Sequence, residues 1–119
     1  MISTAADLQS YARQLYKGRL LKPATRKARL ETRPLDKGGA EYGEGIGKFG
    51  PFWGHTGAIN GFQCYMLYLP GKDASVVIAV NRCVEDVGGT NHGPDLLPAV
   101  VKAFFPEALK GLTGEAKRE

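Results

Sequence analysis

The sequence predicts an α+β fold, an antiparallel sheet of three to four strands with flanking helices. Strand-like runs at 51–57, 62–69 and 75–82 follow one another through short turns that contain Gly and Pro, which is typical of antiparallel hairpins. Apolar residues recur at helical spacing before and after these runs. The 119 residues, 43% of them hydrophobic, suffice for one domain, 1–119, with a modest core.

The N-terminal part is predicted to form two helices. Ser3 or Thr4 can cap the first, with Asp7 in its first turn, and Gly18 ends it. Its apolar stripe is interpreted as core: Leu8, Tyr11, Ala12, Leu15 and Tyr16. The second helix begins at Pro23 and supplies residues 24–32, before Pro34 forbids its continuation.

The remaining elements are predicted from turn residues and apolar spacing. From Glu41 the chain changes from a loop to a glycine-interrupted strand. Residues 85–93 are polar and form a loop. Asp95 caps a last helix that carries Pro98 in its first turn and stops at Pro106. The tail, 111–119, has little to bury and should fray.

The two cysteines, Cys64 and Cys83, are expected to remain free thiols. If Leu69 lies opposite Ser75 in a hairpin, Cys64 faces Val80 and Cys83 lies three ladder positions away, roughly 10 Å at about 3.4 Å per residue. A disulfide tolerates a Cα separation of only roughly 7 Å. The spacing also argues against a metal site, and no cofactor is predicted.

The net charge of +4 comes largely from one basic cluster near the N-terminus. Its members are Lys17, Arg19, Lys22, Arg26, Lys27, Arg29 and Arg33. Nucleic acid is one interpretation of such a cluster. Because no aromatic residues interleave it, we interpret it as a solvated face and expect no nucleic-acid partner. The sequence contains neither a transmembrane run nor a signal-peptide pattern, and the compartment stays undecided.

The functional prediction depends on one stretch, Gly54-His55-Thr56-Gly57-Ala58-Ile59-Asn60-Gly61-Phe62. It is predicted to place His55-Thr56-Gly57 at a strand edge. Gly57 has no Cβ, which a site needs where a ligand lies against the backbone. The alternatives are less specific: His55 as a surface imidazole, Asn60 as a turn residue and His92 as an ordinary loop residue.

Neighbouring segments strengthen this interpretation. They are Ser3 to Leu8, Tyr42-Gly43-Glu44-Gly45-Ile46-Gly47, Gly50-Pro51-Phe52-Trp53-Gly54, Tyr68-Leu69-Pro70 and Val76 to Arg82. With them, residues 3 to 105 resemble the C-terminal part of the serine β-lactamase-like family. That family includes class C β-lactamases, D-alanyl-D-alanine carboxypeptidases and related esterases. The resemblance implies the C-terminal part of a β-lactamase/transpeptidase-like fold.

The resemblance also implies roles for four residues of the His-Thr-Gly motif and its neighbour. His55 takes the position where most members have lysine, and Gly57 takes that of the invariant small residue. Thr56 would hydrogen-bond the carboxylate or carbonyl of a substrate, and the Ala58 N–H would be one of two oxyanion-hole donors. A histidine titrates near about 6.5, unlike a fixed lysine cation. The substitution therefore favours a peptidase- or esterase-like relative over an efficient β-lactamase.

Two further motifs of the family are missing from the sequence. None of Ser3, Ser10 and Ser75 is followed by a lysine at the third position, so Ser-x-x-Lys is absent, and no tyrosine begins a Tyr-x-Asn. We therefore expect roughly the last third of a serine hydrolase, inactive alone, whose small acyl or peptide substrate binds only in the complete protein. The alternative is a non-catalytic interaction or structural module derived from that fold. A Ser-x-x-Lys in the reading frame upstream of Met1 would favour the hydrolase.

A three-stranded meander would leave the most apolar strand at an edge. Exposed edges of this kind recruit other chains. We expect the strand at 75–81 to pair with the missing N-terminal part of the hydrolase domain or with a second copy, as a homo-oligomer.

Overall fold

The computed structural model describes residues 2–18, 20–35, 39–82 and 93–113, with backbone alone at 93–95 and 113. The helices are α1 (Ala5–Lys17), α2 (Pro23–Arg29), α3 (Gly93–Phe104) and α4 (Pro106–Thr113). The strands are β1 (Arg33–Pro34), β2 (Glu41–Tyr42), β3 (Gly47–Phe49), β4 (Phe52–Ile59), β5 (Phe62–Leu69) and β6 (Ala74–Val80).

The strands form one antiparallel sheet in the order β1-β2-β3-β4-β5-β6, a simple meander. The α+β prediction is confirmed, although the sheet has six strands where the sequence predicted three to four. β1 was not predicted, and the glycine-interrupted strand predicted from Glu41 is divided into β2 and β3; β1 and β2 contain two residues each and β3 contains three. Segments this short are held by backbone pairing and carry too few side chains for an alternating pattern.

Helices cover both faces of the sheet. On one face α1 packs over β5 through a core of Ala12, Leu15, Ile46, Met66 and Tyr68. On the other face α3 and α4 pack over a core of Phe52, Tyr65, Leu67, Leu69, Val76, Leu97, Val101 and Ala108. Side chains of β5 alternate between these cores because successive residues of a strand point to opposite faces. The result is a three-layer arrangement with β4, β5 and β6 at its centre.

The predicted caps of α1 are confirmed. Thr4 and Asp7 form a capping box, in which the Asp7 N–H donates to Thr4 Oγ1 at 3.2 Å and the Thr4 N–H donates to the Asp7 carboxylate at 3.3 Å. Gly18 ends the helix in the left-handed region at φ +64°. Of the residues predicted to form the core stripe of α1, Ala12 and Leu15 are buried, but Tyr11 is 49% exposed and lies outside the core.

The predicted end of the second helix is wrong, since α2 stops at Arg29 and not at Thr32. The Leu30 N–H closes the last turn on the carbonyls of Arg26 and Lys27. Thr32 instead donates from its hydroxyl to the Glu41 carboxylate at 2.5 Å, which connects it to β2.

Part of the basic cluster has structural partners. Lys17 lies 3.0 Å from the Asp73 carboxylate, while Arg26 donates to the Lys17 carbonyl at 2.7 Å and Arg29 to the Glu44 carbonyl at 3.2 Å. These contacts hold α1, α2 and the β2–β3 connection together. None of the described helices is long and apolar enough to cross a membrane.

The predicted register of the β5–β6 hairpin is also wrong by one residue. Leu69 lies opposite Ala74, not Ser75, and Cys64 lies opposite Ala79, not Val80. The shift arises because Asp73, at φ +49°, ends a short 3₁₀ turn and leaves four residues in the connection. Cys64 is a free thiol. Cys83 and residues 85–92 of the predicted loop lie outside the described residues. Gly93, the last residue of that predicted loop, begins α3.

The C-terminal prediction needs three corrections. Helix α3 begins at Gly93, before Asp95, and Pro98 lies inside it, beyond the first turn. α3 ends at Phe104, before Pro106, as predicted, but it is not the last helix: Pro106 begins α4, because proline suits the first position of a helix. Gly111 is helical, where fraying was predicted; the rest of the tail, 114–119, lies outside the described residues.

Candidate active site

Two tight turns determine where β4 begins and ends. Gly50-Pro51 joins β3 to β4, and Asn60-Gly61 joins β4 to β5, which confirms Asn60 as a turn residue. Gly50 and Gly61 have φ of +57° and +82°, a region that side chains disfavour. A Cβ on Gly50 would also lie 2.1 Å from the carbonyl oxygen of Gly111 on α4. The turn residues at its two ends therefore fix the position of β4, the strand that carries the His-Thr-Gly motif.

The outer edge of β4 is open along the motif. β5 pairs with β4 from Trp53 to Ile59, but β3 pairs only with Phe52 to Gly54 on the other side. Within residues 2–18, 20–35, 39–82 and 93–113, no strand pairs with that side of β4 from His55 to Ile59. The backbone there can hydrogen-bond a ligand as a neighbouring strand would.

The turn geometry determines which residues face the open edge. The pairs Phe49–Phe52 and Ile59–Phe62 close two-residue hairpins and are therefore hydrogen-bonded pairs. Backbone groups alternate along an antiparallel strand, so every second residue of β4 faces β5 and the others face outward. This alternation directs the N–H groups of Thr56 and Ala58 toward the open edge. The Ala58 N–H is thus available to a ligand at this edge.

Glycines in β4 have two distinct physical roles. A Cβ on Gly54 would lie 2.0 Å from the carbonyl oxygen of Met66, so the close approach of β5 requires glycine there. A Cβ on Gly57 would meet no described atom within 4 Å. Gly57 therefore has open space beside it, as the motif prediction requires, whereas the need for glycine at Gly54 was not predicted.

His55 is exposed and makes two polar contacts at the open edge. Its Nε2 lies 2.6 Å from the Tyr42 hydroxyl, and its Nδ1 lies 2.5 Å from the Thr56 carbonyl oxygen. The rings of Tyr42 and His55 meet edge to face, with centroids 5.6 Å apart and an interplanar angle of 81°. The imidazole is therefore held beside the backbone of the next residue.

Thr56 and Ala58 lie opposite Tyr65 and Gln63 on β5, on the face that α3 and α4 cover. Gln63 is buried, and its Nε2 donates to the Tyr65 hydroxyl at 3.1 Å. Its Oε1 is buried without a hydrogen-bond partner among the described residues. The position behind the proposed oxyanion donor is therefore filled by a buried amide.

An open cleft of about 720 Å³ lies where β4, β5 and β6 meet the start of α1. Gly57, Ala58 and residues of predominantly apolar character line it: Ser3, Leu8, Ile59, Phe62, Gln63, Cys64, Ala79, Val80 and Asn81. Ile59 and Phe62 are 68% and 58% exposed and present apolar surface at the cleft. The structure thus brings Gly57 and Ala58 to the cleft, while His55 and Thr56 lie outside its lining.

The nucleophiles nearest the cleft have no activating base among the described residues. The Ser3 hydroxyl donates only to the neighbouring Thr4 carbonyl at 3.5 Å. Burial raises the pKa of the Cys64 thiol, which disfavours the reactive thiolate. The described residues also contain no cluster of three or more His, Cys, Asp or Glu side chains that could hold a metal ion. Among the described residues, the cleft therefore holds no serine–base pair.

The sequence interpretation missed Tyr42, which contacts His55. In the sequence Tyr42 begins the glycine-rich segment that carries part of the family resemblance and fails as a Tyr-x-Asn, but it has no predicted role in the site. The contact depends on strand pairing: Tyr42 lies opposite Gly47, and Gly47 lies opposite Gly54, the residue before His55. No local signal in the sequence gives this pairing.

Comparison with known proteins agrees with this geometry. A family model described as Beta-lactamase matches residues 1–97, which is most of the chain. The chain therefore belongs to the β-lactamase family, as its resemblance implied, and its fold is that of β-lactamase-related hydrolases.

One solved structure is informative in more detail. The crystal structure of a D-stereospecific amidohydrolase from Streptomyces sp. is similar to this chain, with a TM-score of 0.60 and 27% sequence identity. The similarity covers 66% of this chain and 25% of the amidohydrolase chain, so the match spans about a quarter of that relative. No curated protein matches the chain.

Proposed function

We propose that this chain forms the substrate-binding and oxyanion side of a β-lactamase-related serine hydrolase of the peptidase or esterase type. The observation that best supports this is the open edge of β4, where the N–H groups of Thr56 and Ala58 face outward beside a cleft. In such an enzyme the Ala58 N–H donates to the oxyanion of the tetrahedral intermediate. The second donor is the N–H of the nucleophilic serine.

The other motif residues would orient the substrate. The Thr56 hydroxyl hydrogen-bonds its carbonyl or carboxylate, and the missing side chain of Gly57 lets the substrate lie flat against the strand. His55 is placed to contribute to the polarity of the edge. The exposed apolar residues of the cleft, Ile59 and Phe62, would accommodate an apolar group of the substrate.

The substrate class follows from the amidohydrolase relative. Its name states a D-stereospecific action on amides. By this similarity, we propose that the site accepts amides or short peptides of D-amino acids.

The chain by itself would be inactive. Its sequence contains no Ser-x-x-Lys, and the oxyanion donor and binding groups alone supply only a small part of the rate of a serine hydrolase. The catalytic serine and its base would come from the part of the hydrolase domain that this chain lacks.

A binding experiment tests the proposed site without requiring turnover. We would follow the backbone amide signals of the ¹⁵N-labelled chain during titration with D-alaninamide. The expected result is a saturable shift concentrated on residues 55–59. Shifts elsewhere with none on this strand would contradict the proposal.

Two variants of Ala58 make the test specific. Ala58→Pro removes the outward N–H without removing a bond to β5, and proline is tolerated at such edge positions. Ala58→Gly keeps the N–H and loses only the methyl group. We expect Ala58→Pro to weaken binding several-fold and Ala58→Gly to retain it; equal affinities would remove the N–H from the site.

The open edge of β6 favours a second candidate function, a non-catalytic interaction module. By the same alternation, Ser75, Val77 and Ala79 direct their backbone groups away from β5. No described strand pairs with them. In the hydrolase, the remaining part of the domain would pair here; for the module, we propose that a second copy of the chain takes its place. Absence of ligand binding at β4 combined with strong association at β6 would favour the module.

A further inference from the structure

The two contacts of the His55 ring nitrogens determine which atom donates the hydrogen bond between Tyr42 and His55. A backbone carbonyl oxygen can only accept a hydrogen bond. Because Nδ1 of His55 lies 2.5 Å from the Thr56 carbonyl, the hydrogen of the neutral ring is on Nδ1. Nε2 then has a lone pair and accepts from the Tyr42 hydroxyl 2.6 Å away.

This arrangement leaves the imidazole with no free polar atom. Both ring nitrogens are engaged, one with Thr56 and one with Tyr42. The Tyr42 oxygen has donated its only hydrogen, but it keeps a lone pair that can accept. Tyr42 is 37% exposed, and it lies opposite Gly47, the first residue of β3, which pairs with Gly54, the last residue of β4 that β3 covers. Its hydroxyl therefore lies beside the start of the open edge.

We propose that Tyr42 holds neutral His55 in its Nδ1–H tautomer, and that a ligand at the β4 edge contacts the Tyr42 oxygen and not the imidazole. A hydrogen-bond acceptor at this place suits an N–H or O–H donor, such as the amide N–H of a D-amino acid amide. The ligand contact rests on the proposed function, whereas the tautomer is a property of the chain alone.

The tautomer can be measured without any ligand. Ring ¹⁵N chemical shifts and two-bond couplings of His55 are recorded at about pH 8.5, where histidine is neutral. A His92→Gln background leaves one imidazole in the spectrum. The expected result for the parent chain is a dominant Nδ1–H form, and a dominant Nε2–H form would overturn the proposal directly.

Matched tyrosine variants assign the effect to Tyr42. Tyr42→Phe keeps the ring and removes the hydroxyl, and we expect a roughly five-fold fall in the ratio of Nδ1–H to Nε2–H, the size of one lost hydrogen bond. Tyr11→Phe, at an exposed tyrosine on α1, should leave the ratio unchanged. An unchanged ratio in Tyr42→Phe would show that the Thr56 carbonyl alone sets the tautomer. The parent spectrum remains decisive if Tyr42→Phe fails to fold.

The ligand contact is tested separately with D-alaninamide. Tyr42→Phe should weaken its binding at residues 55–59 several-fold relative to Tyr11→Phe. Equal binding by both variants would exclude Tyr42 as the ligand contact while leaving the β4 site intact. Absence of binding by the parent chain would overturn the proposed function and the ligand contact together, and the tautomer result would stand independently.

Discussion

The hydroxyl of Tyr68 donates to Oδ1 of Asp73 over 2.6 Å, which connects the buried end of β5 to the turn before β6. The Asp73 carboxylate also forms ion pairs with two residues of α1, Lys17 at 3.0 Å and Arg13 at 3.4 Å. One carboxylate therefore joins the sheet, its turn and the helix that covers this face. The hydrogen bond from Tyr68 lowers the pKa of Asp73 most, and the hydrogen bond from Lys17 lowers it further.

This arrangement predicts a defined dependence of stability on pH. A carboxyl whose pKa is lower in the folded state stabilises the fold above its unfolded pKa, about 3.9, and this contribution is lost as pH falls through the folded value. Asp73→Asn should therefore lower the free energy of unfolding at pH 7 and reduce the loss of this free energy as the pH falls below the ordinary aspartate pKa. Asparagine tolerates the left-handed backbone of this position, so the turn itself is preserved.

Urea unfolding at pH 7 and at successively lower pH measures this effect. Glu31→Gln, at an exposed carboxyl outside the described ion pairs, is the control and should follow the parent curve. If Asp73→Asn and the parent chain lost stability in parallel on acidification, Asp73 would have no part in the acid response.

The two glycines of β4 should differ in their tolerance of alanine. Gly54→Ala places a methyl group against the backbone of Met66, which cannot move without breaking the β4–β5 ladder. We expect it to cost about 3 kcal/mol or more in unfolding free energy. Gly57→Ala should stay within about 1 kcal/mol, because the added methyl meets open space. Comparable losses in thermal or denaturant unfolding would contradict the described strand packing.

The open edge of β6 should cause association of the isolated chain. Ala79 is exposed and directs its N–H outward, so Ala79→Pro blocks strand addition without removing a bond to β5. Light scattering should report a dimer or larger species for the parent chain and a smaller species for Ala79→Pro. Ala58→Pro, on the opposite edge of the central strands, should associate like the parent. A parent chain that stays monomeric and cooperatively folded at about 100 μM would refute this prediction.

The sequence predicted the β4–β5 hairpin well because its information is local. Asn60-Gly61 specifies the turn, and the turn specifies the register. The register of the β5–β6 hairpin was predicted wrongly by one residue, because the sequence did not show that Asp73 adopts a left-handed conformation. Pro106 was interpreted as a stop, although the same residue suits a helix start equally well.

The site was predictable only in part. Residues within one strand, His55 to Ala58, could be proposed from sequence because the motif is contiguous. The contact between Tyr42 and His55 joins two strands separated by β3, and the two-residue strand that holds Tyr42 has no recognisable pattern. The buried Gln63 oxygen, which has no hydrogen-bond partner among the described residues, likewise depends on tertiary packing that no sequence pattern reports.

The most direct test of the account is a hydrolysis assay of the purified, isolated chain on nitrocefin and on p-nitrophenyl esters. Because the sequence holds no Ser-x-x-Lys, we predict no turnover above the buffer rate and no serine labelled by an active-site-directed phosphonate. Turnover that persists through purification and disappears in Thr56→Val would contradict the account, because it would place a complete catalytic site within these 119 residues.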